Sequence, residues 1–354
     1  MAEDLVRVSD RGLYCQHGDF YIDPWRPVNR ALITHGHSDH ARMGSTSYLC
    51  HIDAKGILRS RLGEDALLET IDYGTPVKIK DVYVSFHPAG HILGSSQIRI
   101  EYRGQICVVS GDYKTQADPT CPAIEPVRCH TFITESTFGL PIYRFPENHV
   151  IAAEVNEWWQ ANAAAGKVSL LYAYSLGKAQ RLLASVDASI GPIYTHGAVE
   201  ALNAVYRGCG VYLPETIYVS NDVNKEVLGK AGALVVAPPN TQDSLWSRKF
   251  GKSSDAFASG WMRVRGARRR RSLDRGFVMS DHADWPGLIA TIAATGAERV
   301  LVTHGYTPPL VRYLSDLGID AQALETAYTG EEEERKEQIA EHEHAADHEH
   351  GEEQ

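Results

Sequence analysis

The chain has 354 residues, 43% of them hydrophobic and 23% charged, with a formal net charge of −10. That length is more than one ordinary core holds and suits two domains, and the composition is that of a globular chain rather than a disordered or fibrous one. The acidic opening Met1-Ala2-Glu3-Asp4 leads into no apolar leader segment and no apolar run reaches the ~18 residues of a membrane span, so the sequence predicts a cytoplasmic protein with no membrane association.

From residue 5 to about 137 the chain reads as short strands broken by Gly, Pro and Asp turns, with strands expected over 31–34, 82–86, 97–102 and 106–110. Several of them run into polar residues: Thr34 into His35-Gly36-His37-Ser38-Asp39-His40, Ser110 into Gly111-Asp112, and Thr134 into Glu135. A rigid strand followed by a loop is a common way to carry chemistry. The character changes near Phe138. Apolar Ile151, Val155, Trp158 and Trp159 recur at helical spacing and predict a helix over 148–165. Strand and helix then alternate: strands over 168–172, 193–195, 217–219 and 234–237, helices over 177–185 and 198–205. This pattern predicts an α/β unit with a parallel sheet. Seven arginines between Arg263 and Arg275 precede a strand over 276–279, a helix over 285–295 and a strand over 299–303. Polar residues follow again, in Ser280-Asp281-His282 and His304. The simplest organisation is one domain over 1–138, interrupted by an inserted unit over 139–276 and completed by 277–329.

Residues 330–354 hold eleven acids against Arg335 and Lys336, a local −9 that leaves −1 for residues 1–329. With no apolar periodicity, this His-containing acidic tail is expected to be disordered and solvating, and loose metal binding by its histidines is the weaker reading. The six cysteines are scattered without a C-x-x-C pair, which predicts reduced thiols and argues against a cysteine-based zinc site.

The His35–His40 run packs three imidazoles and a carboxylate into six residues. Imidazole and carboxylate suit divalent ions, and such a loop can point alternate side chains at two centres. Further candidates are His91 in Pro88-Ala89-Gly90-His91, Asp112 and His304. Taken singly, each is as well explained by a turn or a structural hydrogen bond. Gly90 and Gly111 are read as allowing the backbone to approach an ion.

This set resembles the signature of the metallo-β-lactamase superfamily, H-x-H-x-D-H followed by separate His, Asp and His ligands. The resemblance implies an αββα sandwich in the α/β class. It implies that His35, His37 and His91 hold one metal, that Asp39, His40 and His304 hold the other, and that Asp112 bridges them. Thr134-Glu135-Ser136-Thr137-Phe138-Gly139, the inserted unit and Met279-Ser280-Asp281-His282-Ala283-Asp284 further resemble the β-CASP nucleases, over about residues 1–330. So does Ser175-Leu176-Gly177-Lys178-Ala179-Gln180. By this resemblance two divalent ions, Zn²⁺ or Mn²⁺, activate a water against a phosphodiester, with Asp39 counted among the catalytic groups. His282 serves the leaving oxygen, and Glu135 orients His282. Without the resemblance Glu135 reads equally as a surface carboxylate.

Nucleic acid is expected between the two domains, with Ser175, Lys178, Arg181, Arg263, Arg265 and Arg268 in the 268–271 arginine run as candidate phosphate contacts. A solvated loop explains that run as well. His304 resembles the RNA-processing members. The stretch from Gly260 to Trp285 resembles the bacterial ligase-associated DNA exonucleases, small proteins often encoded beside an ATP-dependent ligase and a helicase. The expectation is therefore a DNA-repair exonuclease acting on single strands or duplex ends, with RNA processing as the alternative. A small-molecule hydrolase such as a lactonase or thioesterase is a further alternative on the same metal site, though those enzymes lack the inserted unit and the Glu135/His282 pair. A non-catalytic binding module is disfavoured because every expected ligand position is filled.

Overall fold

The computed structural model describes residues 4–220, 225–264 and 273–328. The chain is α/β throughout, built on three sheets.

The first sheet runs in chain order through Arg7–Val8, Leu13–Cys15, Phe20–Ile22, Arg30–Leu32, Ser47–His51 and Leu68–Ile71, antiparallel at its start and parallel from Phe20 onward. The second is ordered Asp320–Ala323, Arg299–Gly305, Thr131–Ser136, Gln105–Val109, Ser96–Tyr102, Val82–Pro88, Val77–Ile79. Alternation along the strands gives each sheet two apolar faces, the period-2 consequence of the pleat. Leu301 and Ile133 point inward with Phe86 and Ile98 against Phe20, Ile22 and Leu32 of the first sheet, forming the inter-sheet core. Val300, Val302 and Phe132 point the other way, under the helices Trp285–Thr295 and Thr307–Asp316 through Leu288, Ile292 and Leu310. Helix Lys55–Leu62 covers the outer face of the first sheet through Leu58 and Leu62. The layers are therefore helix, sheet, sheet, helix.

The third sheet belongs to the stretch between Thr131–Ser136 and Arg299–Gly305, two strands that pair directly and in parallel. Its six strands are all parallel, ordered Ile217–Tyr218, Ile193–Thr195, Leu234–Ala237, Val168–Tyr172, Ser253–Ala258, Arg275–Phe277. Trp158 and Trp159 of helix Asn148–Ala164 pack on one face with Leu171 and Val236, and the same core takes in Ile57, Ile92 and Leu93 from the first part of the chain. The inserted segment is thus packed against the sandwich.

Most sequence expectations lie within a residue or two of these bounds, and strands 168–172, 193–195 and 234–237 match. Unforeseen were strand Ser253–Ala258, whose Ser and Asp hide its β character, and helix Thr307–Asp316, which opens on two prolines that fit the first helical turn. Glu135 and His304 lie inside their strands rather than beyond them. The pairing register shifts between Thr134 and Ser136, an irregularity that re-aims the side chain between them.

Candidate metal centre

The histidines of the 35–40 loop, His91, Asp112 and His304 come together at one end of the two-sheet sandwich, and all but the half-buried His304 are fully buried. Groups of ligand atoms close enough to hold an ion are formed by His35, His37, His91 and Asp112, and by His40, Asp112 and His304. Asp112 joins both. Its Oδ2 lies 3.5 Å from His35 Nε2 and 3.6 Å from His40 Nε2, and its Oδ1 lies 3.1 Å from His304 Nε2. Asp39 stands beside the second group, its Oδ2 3.6 Å from His40 Nε2.

Each imidazole is held from behind by one nitrogen and turns the other inward. His40 Nδ1 donates to Asp23 Oδ2 at 2.8 Å, and His91 Nδ1 donates to the Asp281 carbonyl at 2.7 Å. His37 Nε2 faces the Leu176 carbonyl at 3.4 Å, His35 Nδ1 faces Thr34 Oγ1 at 3.0 Å and His304 Nδ1 faces Thr303 Oγ1 at 3.2 Å. Backing of this kind fixes tautomer and ring orientation in metal sites. On the inward side, His91 Nε2 and His37 Nδ1 converge to 3.0 Å and His304 Nε2 meets Asp112 Oδ1, while among the described residues the buried atoms His35 Nε2 and His40 Nε2 have no hydrogen-bond partner. Buried polar atoms are rarely left so, because each costs ~1–3 kcal/mol. A donor set of imidazoles and carboxylates with inward atoms in that state fits divalent cations.

The electrostatics agree. Burial depresses the imidazoles of His35 and His91, keeping them neutral, as a ligand must be. Burial alone would raise the Asp112 carboxyl, yet His40, His304 and His282 hold it well below the ordinary carboxylate range. His40 is the converse: burial lowers it, but Asp39, Asp112 and Asp23 raise it to about 10. The pocket draws in positive charge.

Two glycines let the backbone beside Asp112 and His91 pass close to neighbouring protein groups. Gly111 has φ +57° and Gly90 φ +74°, and a Cβ would lie 2.7 Å from Thr34 or 2.6 Å from the Lys114 carbonyl.

Glu135 and His282 meet beside Asp112. His282 Nδ1 lies 2.9 and 3.1 Å from the two Glu135 oxygens and 4.0 Å from Asp112 Oδ2, and Glu135 Oε1 also accepts the Tyr113 N–H at 2.7 Å.

The expected strand contacts divide. Arg263 is exposed, at the end of the short turn Gly260–Arg263. Ser175 lines a cavity of about 260 Å³ with His37, Arg61, Tyr174 and Leu176, an opening beside the metal centre. Lys178 and Arg181 correct the sequence reading: they are 0% and 2% exposed, and both pair with Asp281 inside the protein. A buried cation must be paired, and this pairing consumes the charges a phosphate would need. Arg265, Arg268, the rest of the 268–271 run and the tail from 330 lie outside the described residues.

Sequence reasoning missed Asp23, 1% exposed, which backs His40 and also accepts from the Thr34 N–H and hydroxyl. Its signal was a carboxylate directly after strand Phe20–Ile22, held at φ +43°, a conformation rare for a non-glycine residue. Tyr328 was missed too. Its ring stacks on His40 at 4.5 Å with an 11° interplanar angle.

No family model matches the chain. Over 316 residues, 88% of its length, the chain is 30% identical to a protein of Opitutus terrae named probable DNA ligase, covering 30% of that protein. It is 28% identical over 173 residues to Endoribonuclease YSH1 of Gibberella zeae, 48% of this chain and 20% of that one. With the Saccharomyces cerevisiae Endoribonuclease YSH1 it shares 29% identity over 123 residues, 34% of this chain and 15% of that one. The chain thus spans less than a third of the length of these curated relatives. A solved structure of a protein of unknown function from Enterococcus faecalis V583 shares the fold, with a TM-score of 0.56 at 13% identity over 79% of this chain and 76% of that one. The chain belongs to the β-CASP group of the metallo-β-lactamase superfamily. Within that group it is related to ligase-associated and 3′-end-processing proteins.

Proposed function

We propose that the chain is a two-metal phosphodiesterase that cleaves nucleic acid, with DNA ends in repair as its substrate. The carrying observation is Asp112, whose two oxygens face His35 and His40 on one side and His304 on the other. His35, His37 and His91 would hold one ion, Asp39, His40 and His304 the second, and Asp112 both. When bound, such ions supply Lewis acidity toward the phosphoryl oxygens and the attacking water. The chain's residues do the rest. Asp23 and the Asp281 carbonyl orient His40 and His91. Glu135 accepts from His282 Nδ1–H and stabilises the imidazolium, so that His282 delivers a proton to the leaving oxygen. The strand would run along the opening lined by Ser175 and past Arg263, between the sandwich over 1–138 and 277–329 and the unit over 139–276.

The Opitutus relative favours DNA and a functional link to a ligase, whereas the YSH1 relatives favour RNA as a second substrate. The deciding experiment incubates the Zn²⁺- or Mn²⁺-supplemented protein with 5′- and 3′-end-labelled single- and double-stranded DNA and RNA. Stepwise loss from DNA ends is the expected result. Cleavage of RNA with DNA left intact reverses the substrate assignment. If all four substrates stay intact while a lactone or thioester is hydrolysed, the small-molecule reading replaces it.

A further inference from the structure

Lys178 and Arg181 were expected as phosphate contacts and are instead buried, which raises the question of what two internal cations do here. Both grip Asp281, itself 2% exposed: Lys178 Nζ lies 3.3 Å from Oδ2 and Arg181 Nη1 3.5 Å from Oδ1. Arg181 reaches further. Its Nη1 also donates to the Ser280 carbonyl, its Nη2 to Asn148 Oδ1 and, at 3.4 Å, to Gln116 Oε1, and its Nε lies 3.5 Å from Asp118, which is paired with Lys114. One guanidinium therefore joins four segments: helix Lys178–Leu183 of the inserted unit, the start of helix Asn148–Ala164, the loop after Asp112, and the loop 280–282. Only a planar fork of donors can do this. A lysine offers one point of charge.

The loop so gripped serves two reacting groups. The Asp281 carbonyl accepts from His91 Nδ1–H at 2.7 Å, and that bond turns His91 Nε2 toward the metal centre. The next residue is His282, whose own N–H donates to Ser280 Oγ at 3.0 Å. A shift of this loop would therefore move a metal-facing imidazole and the proton donor together.

We propose that Arg181 and Lys178, closed on Asp281, are positioning residues that tie the inserted unit to the metal centre by fixing loop 280–282. The proposal rests on the phosphodiesterase reading for its kinetic readout and adds a metal readout that does not depend on it. Groups one step behind a metal ligand typically set ~10–100-fold in affinity or activity, and a misplacement of ~1 Å alone can cost ~10²-fold.

The test uses the full-length Zn²⁺-loaded protein as wild type, Arg181→Met, Arg181→Lys and Lys178→Met, well below their unfolding temperatures. Each is assayed on a DNA strand and on bis(p-nitrophenyl) phosphate, a diester too small to reach a strand-binding rim. Zinc transfer to a chromogenic chelator is followed in parallel. Arg181→Met should lower kcat on both substrates, by ~100-fold on DNA with KM little changed, and should release zinc ~10-fold faster. Arg181→Lys should recover part of both. A raised KM for DNA with the small diester unaffected would instead make Arg181 a strand contact and overturn the proposal. So would a lowered melting temperature with unchanged kcat and zinc release. If Arg181→Met does not fold, Arg181→Lys and Lys178→Met carry the same comparison at smaller size. If the wild type hydrolyses neither substrate, the phosphodiesterase reading fails, and the zinc-release comparison still decides the positioning role.

Discussion

Two buried polar clusters lie side by side in this molecule, joined by the bond from His91 to the Asp281 carbonyl, and they solve the problem of burial in opposite ways. Around Asp112 the inward Nε2 atoms of His35 and His40 find no hydrogen-bond partner among the described residues. Around Asp281 the cations Lys178 and Arg181 meet carboxylates and carbonyls supplied by the chain itself. Desolvating a charge costs several kcal/mol unless pairing offsets it. The charges of the second cluster are therefore paired as folded, Arg181 Nε lying 3.5 Å from Asp118 without a hydrogen bond, whereas the first cluster turns unmatched atoms toward one centre. Convergent unmatched donor atoms mark a ligand site, and matched ones mark a joint.

The largest effects should separate the two clusters by what they damage. Asp112→Asn removes the carboxylate common to both metal groups and should lower activity by at least ~10³-fold, the size of several kcal/mol of lost Lewis-acid stabilisation. Metal content by elemental analysis should fall with it, and full zinc occupancy in this variant would break the assignment of Asp112 as the shared ligand. His282→Ala should cost ~10²–10⁴-fold on a nucleic acid strand. On bis(p-nitrophenyl) phosphate the loss should be slight, because nitrophenolate leaves without a proton. Equal losses on both substrates would remove His282 from the proton-donor role.

Stability should show the reverse order. Asp281→Ala removes the carboxylate that the two buried cations share and should destabilise the fold by ~3–5 kcal/mol. His35→Ala in chelated protein, whose Nε2 has no bond to lose, should cost less. Urea unfolding of both variants in EDTA tests the ordering. A larger loss for His35→Ala would mean that the metal pocket, and not the Asp281 network, is the load-carrying cluster in the metal-free fold.

How much of this was legible in the sequence follows from the same contrast. The His35–His40 run is local, so its imidazoles could be assigned to a metal from spacing, and His91, Asp112 and His304 stand at strand ends whose periodicity is readable. Asp23 could not be assigned, because its meaning depends on His40 lying 2.8 Å away across the end of the sheet. Lys178 and Arg181 misled for a related reason. Two cations three residues apart on a short helix read as phosphate contacts, and only the arrival of Asp118, Asn148 and Asp281 from three distant segments makes their burial affordable. The unforeseen strand Ser253–Ala258 is held in the third sheet by parallel pairing with Val168–Tyr172 and by its buried Ala256, Phe257 and Ala258, which the polar Ser253, Ser254 and Asp255 before them obscured. Local chemistry is written locally, and matched burial is not.

A third cluster tests where the contrast fades. Glu200 in helix Gly197–Gly208 accepts from Thr195 and Thr216 at 2.6 Å and from Arg207 at 3.1 Å, but it is only half-buried. Burial alone would raise its carboxyl, yet these donors hold it below the ordinary value. A carboxyl depressed in the folded state contributes stability above its unfolded pKa, ~4.3, and that contribution is lost as the pH falls through the folded value. Glu200→Gln should therefore lower the unfolding free energy from urea titration slightly at pH 7, by less than ~1 kcal/mol once solvent screening is allowed for. The difference from wild type should shrink on acidification below pH ~4. A difference that stays constant across that range would mean that shape and hydrogen bonding, rather than the Glu200 charge, hold this corner of the inserted sheet.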